Sequence, residues 1–170
     1  MITIRIKNTG KRLQVPVGST LQEVFDLSGI EMPLGPVSAR INNKVQGLRY
    51  RFYNSKDVEF LDLHSPSGMR VYVRSLFLVM AKAVEDLFPG GRLVIGAPIS
   101  GGHYCELNIG RPVTEADVRE LEARMHAIAE ADMRIHREQC PIEEAVQMFR
   151  SKGMESKALL LEEQDKIYAY

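Results

Sequence analysis

Apolar residues recur at every second position over much of residues 1–62, and at every third or fourth position over residues 73–87. Side chains alternate across a strand but return to one face of a helix after three or four residues. The change of period therefore limits the chain to a strand-rich first part and a second part that opens on a long helix. The break falls on "HSPSG", residues 64–68, whose small and turn-forming residues read as a linker. A chain of 170 residues has room for two small domains, and their expected spans are 1–63 and 64–170.

"ITIRIKN" places Ile2, Ile4 and Ile6 on one face, and "RLQVPV" does the same with Leu13, Val15 and Val17. The "NTGK" between them is a turn signal, and Pro16 marks an edge strand or a strand end. "GSTLQEVFDLSGI" is a short helix, with Ser19 or Thr20 as its cap, Leu21, Val24, Phe25 and marginally Leu27 on its apolar side, and Gly29 as its stop. "VSARINNKVQ" is a strand with a tight turn at Asn42-Asn43, and "DVEFLDL" is another, through Val58, Phe60 and Leu63. "GLRYRFYN" also alternates, with Tyr50 and Phe52 on one face. The order β-β-α-β-(β)-β is that of a β-grasp, ubiquitin-like fold.

In the second part, Val73, Phe77, Met80, Val84 and Leu87 define the long helix, which "PGG" ends. "RLVIGAPIS" and "GHYCELNIG" are two strands joined at Ser100-Gly101-Gly102, where glycine is expected to supply the positive φ of a hairpin turn. A second helix follows, capped by Thr114 with Asp117 and striped by Val118, Leu121, Met125 and Ile128. Its acidic run is a solvated face with pairs such as Glu115–Arg119 and Glu120–Arg124. "MRIHREQ" alternates as a strand. "PIEEAVQMFRSKG" is a helix with Pro141 at its first position and Gly153 at its end, and "MESKALLLEEQ" is a further short one. The fold class expected is α+β.

Charge narrows the function classes. The 22 basic and 22 acidic residues cancel, but residues 1–62 carry a surplus of three positive charges and the remainder an equal negative one. A chain-wide basic footprint for nucleic acid is missing. The N-terminus lacks the apolar run of a signal peptide, "VYVRSLFLVMAKAV" is too short and too charged to span a bilayer, and the two cysteines build no disulfide framework. A soluble cytoplasmic protein without membrane contact is expected.

"GAPISGGHYCEL", residues 96–107, concentrates the candidate chemistry. It has the G-x-x-x-x-G of a phosphate loop, but Gly102 stands where Lys is needed and a strand follows instead of a helix. His103 and Cys105 share a strand face and form a possible nucleophile pair. The plainer reading is an ordinary strand with a half-buried thiol. His136 and Cys140 have helical ligand spacing, but the segment reads as a strand, so the spacing is an accident; no metal site and no catalytic set is expected. Arg49 and Arg51, interleaved with Tyr50, Phe52 and Tyr53, are candidates for RNA or nucleotide contact.

The arrangement resembles a known pair of modules. Residues 1–63, with "VPVGSTLQEV" and "ARINNKV", resemble a TGS domain, the β-grasp module at the N-terminus of threonyl-tRNA synthetases. The rest, through "AKAVEDLFPGGRLVIGAPISGGHYCELNIGRPVTEADVRELEARMHAIAEADM" and "PIEEAVQMFRSKGMESKALLLEE", resembles the second additional, or editing, domain that follows it there. The resemblance implies that the hairpin lines a cleft, with His103, Tyr104, Cys105 and Glu106 on one wall and Arg74 and Lys82 on the helix opposite. It also implies a histidine pair on that helix. Arg74 and Leu78 stand in its place, so the hydrolytic centre is at least half missing.

Loss of the pair matches proteins resembling uridine kinase, in which these modules precede a P-loop domain. The expected function is therefore the non-catalytic recognition or regulatory region of a nucleoside kinase. The apolar "DKIYAY" is read as leading into that domain, and ATP and magnesium would be its cofactors. A small-molecule nucleoside or nucleotide, or RNA, is the expected ligand. The alternatives are the N-terminal part of a divergent threonyl-tRNA synthetase, a tRNA editing protein, or an adaptor for RNA or a guanine-nucleotide alarm signal.

Overall fold

The computed structural model describes residues 1–136, 138–163 and 168–169. The chain combines helices with a mixed sheet and divides into two compact units, Met1–Leu78 and Val79–Tyr170.

The first unit is built on β1 (Ile2–Ile6), β2 (Arg12–Val15), α1 (Leu21–Ser28), β3 (Ser38–Ile41), β4 (Lys44–Gln46) and β5 (Lys56–Leu61). The strands form one sheet in the order β2-β1-β5-β3-β4. β1 runs antiparallel to β2, with Ile4 opposite Leu13, and parallel to the central β5, with Ile6 beside Val58. One sheet face and α1 enclose the core, where Ile4, Ile6, Val15, Leu21, Val24 and Val58 are wholly buried. Alternation thus sends the isoleucines of β1 inward and leaves Arg5 on the open face. The helix is where the sequence puts it because Thr20 and Glu23 form a reciprocal cap and Gly29, at φ 66°, ends it.

Three local expectations fail here. Val17 and Leu27 are more than half exposed, since β2 stops before Pro16 and α1 turns Ser28 inward instead. Leu63 lies beyond the end of β5 and is only partly buried, while Leu61, next to Phe60 and so on the other side of the strand from it, is buried. "GLRYRFYN" is a loop whose only ladder contact is a bridge between Arg51 and Thr20. Its carbonyls are taken by the start of α1: the Leu21 amide donates to Tyr50 at 2.9 Å and the Gln22 amide to Leu48 at 3.0 Å. The shared face of Tyr50 and Phe52 survives as an edge-on ring contact at 5.3 Å.

"HSPSG" starts a helix instead of linking. Ser65 accepts the Gly68 amide at 3.0 Å, and Pro66 occupies the first turn of α2 (Pro66–Leu87). The helix crosses the division between the units.

The second unit continues with β6 (Arg92–Ile99), β7 (Gly102–Asn108), α3 (Glu115–Glu130), β8 (Cys140–Pro141), α4 (Ile142–Ser151), α5 (Glu155–Glu162) and β9 (Tyr168–Ala169). Ala83 and Val84 of α2 meet Leu121 and Ile128 of α3, and Leu93 and Leu107 of the β6–β7 hairpin close over them. Val118 is exposed, outside the stripe expected of it. Arg124 reaches Asp86 on α2, not Glu120, at 2.6 Å. "MRIHREQ" forms no strand over its described residues: Met133 and Ile135 lie about half exposed, and Arg137 lies outside the described residues. Pro141 stands one position before the first turn of α4 instead of in it, and makes no side-chain cap bond. Gly153 ends it at φ 68°, donating to Arg150 while Met154 donates to Phe149. No helix among the described residues is long and apolar enough to cross a membrane.

Candidate functional site

The hairpin of "GAPISGGHYCEL" is formed as β6 and β7. Ile95 pairs with Cys105 and Pro98 with His103, so Gly96 and Ala97 both oppose Tyr104 in a bulge. The Tyr104 ring crosses the bulge so closely that a Cβ on Gly96 would meet Tyr104 Cδ1 at 3.0 Å and the Tyr104 carbonyl oxygen at 3.2 Å. This close approach explains the glycine. The turn differs from expectation: Ser100 takes the positive φ, 53°, while Gly101 and Gly102 do not.

The two faces of β7 differ. Cys105 and Leu107 point toward the core and are partly buried, while Tyr104 and Glu106 face solvent, with Tyr104 56% exposed. His103 is exposed near the turn. The Cys105 thiol lies 3.8 Å from the His103 carbonyl oxygen. The contact is to the His103 backbone and not to its ring, so it does not make a thiol–imidazole pair.

Lys82 belongs to the same unit as the hairpin. Its ammonium bonds Asp86, and Glu85 lies 3.9 Å away. Asp86 also accepts from Arg124 Nε at 3.0 Å and Nη2 at 2.6 Å. The hydrogen bond from Lys82, then that from Arg124, holds the Asp86 carboxyl below its usual range, and Asp86 in turn raises the Lys82 ammonium. Two carboxylates already answer the two cations, which makes Lys82 a poor source of charge for a bound anion. Arg74 lies on the part of α2 within the first unit, exposed, with Leu78 one turn later and 54% exposed. Neither side chain supplies a neutral nitrogen or sulfur ligand. Among the described residues, no group of three or more His, Cys, Asp or Glu is gathered for a metal ion.

Arg49 and Arg51 sit in the loop over the start of α1, where Arg51 Nη1 donates to the Gly18 carbonyl at 2.8 Å. The first amides of α1 are answered by that loop and by Thr20, so the helix N-terminus is closed to an anion.

An open groove of about 580 Å³ on the first unit escaped the reading of motifs. Its cations are Arg5, Lys7, Arg12 and Lys56, with Asp57 the one carboxylate. Thr3, Asn42, Asn43 and Ser55 complete it. Arg5 stands 3.7 Å from Asp57, while Lys7, Arg12 and Lys56 make no ion pair among the described residues. The signal was in the sequence as the positive surplus of residues 1–62. Threonine and cations alternating with the isoleucines of β1 put part of that surplus on a single sheet face.

No family model matches the chain. Curated relatives do. The threonine–tRNA ligase of Rubrobacter xylanophilus is 32% identical over 150 residues, which are 88% of this chain and 23% of that protein. The threonine–tRNA ligase of Syntrophomonas wolfei is 31% identical over 96% of this chain and 26% of its own length, and that of Symbiobacterium thermophilum 29% identical over 90% and 24%. The chain spans about a quarter of the length of these relatives. They overturn the nucleoside kinase reading: the similar proteins are threonine–tRNA ligases, and nothing points to a uridine or nucleoside kinase. The expectation of ATP and magnesium rested on that reading.

Proposed function

We propose that this chain is a tRNA-recognition region, the N-terminal part of a divergent threonyl-tRNA synthetase or of a tRNA editing protein. Likeness to threonine–tRNA ligases, running through 88% to 96% of the chain in the relatives named, carries this reading. On this reading residues 1–63 are a TGS-type β-grasp module, supported by the sheet order β2-β1-β5-β3-β4 around a single helix. Residues 64–170 are an editing-like module that binds the end of tRNA without hydrolysing it. The exposed side chains of His103, Tyr104 and Glu106 contact the ligand, Tyr104 offering a ring for stacking. Cys105 packs behind them, and Lys82 orients the wall by its bond to Asp86. Arg49, Arg51 and Arg74, all in the first unit, are further RNA contacts apart from the hairpin, Arg74 making no ion pair among the described residues.

The test combines binding and deacylation. The chain should retard a tRNA transcript for threonine, lose affinity when the transcript lacks its 3′ end, and release no amino acid from an aminoacylated tRNA above the buffer rate. Equal affinity for tRNA and for a DNA duplex would end the tRNA reading, and catalytic deacylation would end the non-hydrolytic one.

A further inference from the structure

The open sheet face of the first unit gathers charge that the hairpin reading does not use. Arg12 lies on β2, Arg5 and Lys7 on or just after β1, and Lys56 at the start of β5. Neighbouring strands are about 4.8 Å apart, so the cations lie across three strands instead of clustering at one point. Only Asp57 opposes them, and it pairs with Arg5.

We infer that this groove docks the phosphate backbone of double-stranded RNA through Arg5, Lys7, Arg12 and Lys56. Charge complementarity selects a polyanion. The side chains lining the groove select which one. All nine are polar or charged, so the apolar anchors on which a protein partner depends are missing. No aromatic ring lines it, so it offers unpaired bases no stacking platform. Backbone phosphates remain, and duplex RNA is recognised mostly by shape and by phosphate and 2′-hydroxyl contacts. The hydroxyls of Thr3 and Ser55 and the amides of Asn42 and Asn43 suit such contacts. The choice of RNA over other polyanions rests on the tRNA reading above; the position of the site does not.

The test measures affinity against salt for the 170-residue chain. The probes are a 16-base-pair RNA duplex, oligouridylate, a tRNA transcript and poly-L-glutamate. The variants are Lys7→Gln/Arg12→Gln/Lys56→Gln, Asp57→Asn, and His103→Ala/Tyr104→Ala in the hairpin. Each cation removed should lower the salt slope by about one, so the triple variant should lose about three. Asp57→Asn should bind the duplex more tightly, a gain that damage to the fold does not produce. Wild-type duplex and tRNA affinity in a folded triple variant would overturn the groove and leave the tRNA reading standing. Duplex affinity that depends on the groove, with tRNA bound no better than the duplex and the hairpin variant without effect, would uphold the groove and remove the tRNA reading. Preference for oligouridylate or for poly-L-glutamate would overturn the duplex assignment.

Discussion

Ser38 is wholly buried in β3, and its hydroxyl has no hydrogen-bond partner among the described residues. An unanswered buried hydroxyl costs free energy, so Ser38→Ala should raise stability by about 1 kcal/mol in urea unfolding; a clear loss would reveal a bond. Asp117 is the opposite case. Buried in the first turn of α3, it accepts from both Arg111 nitrogens, at 2.7 and 2.6 Å, and from the amide and hydroxyl of Thr114. The Arg111 guanidinium first, then Thr114, holds its carboxyl well below the usual range. A folded pKa below the unfolded value of about 3.9 contributes stability that is full above that value and fades as pH falls toward the folded one. Asp117→Asn should therefore melt lower than wild type at pH 7, with the gap steady down to about pH 4 and narrowing progressively below it; a constant gap would assign the effect to shape. The sequence disclosed the Thr114–Asp117 cap, because capping is local. Arg111 carried no such sign, since its partner is chosen by where the loop before α3 turns. In the sequence Gly96 is only the first glycine of an incomplete phosphate-loop pattern, yet its place is set by the Tyr104 ring across the bulge. Gly96→Ala should cost about 1–2 kcal/mol through that contact, read as a shift in urea midpoint.

Elements declared by their own residues were legible. α1 has its cap and its glycine, and α4 ends at Gly153, whose φ of 68° makes Gly153→Ala cost about 1 kcal/mol. Elements that depend on a neighbour were not. "MRIHREQ" has the alternation of a strand but no strand beside it among the described residues. "GLRYRFYN" gave its carbonyls to α1. "HSPSG" looked like a linker because Ser, Pro and Gly also make turns; here Ser65 and Pro66 open α2. Ser65→Ala should cost about 1 kcal/mol, and the loss should concentrate in hydrogen exchange at the first turn of α2. Uniform loss of protection would mean that the cap matters to the whole unit. Gly68 adds a second lock, since a Cβ there would run into the Asp62 carbonyl.

At the scale of the whole molecule, the sequence disclosed the strand-to-helix change, the hairpin and the positive surplus of residues 1–62. It did not disclose which face held that surplus, because a face exists only once β1, β2 and β5 lie side by side. The kinase reading came from two missing histidines, an absence that several kinds of protein share; the extent of likeness to threonine–tRNA ligases decided against it. The sheet order carries one more consequence, in time instead of space. β1 is complete at residue 6, but its parallel neighbour β5 is not made until residue 61. At about 5–20 residues per second, the ribosome leaves the edge of β1 unpaired for roughly 3–11 s. During that interval Val58 and Phe60, which the core requires, have not been made. A nascent chain stopped at residue 55 should be unfolded by far-UV circular dichroism and protease-sensitive. The middle of this sheet is the last of it to be synthesised, and until then the chain must be kept from pairing that edge with a neighbour on the same message.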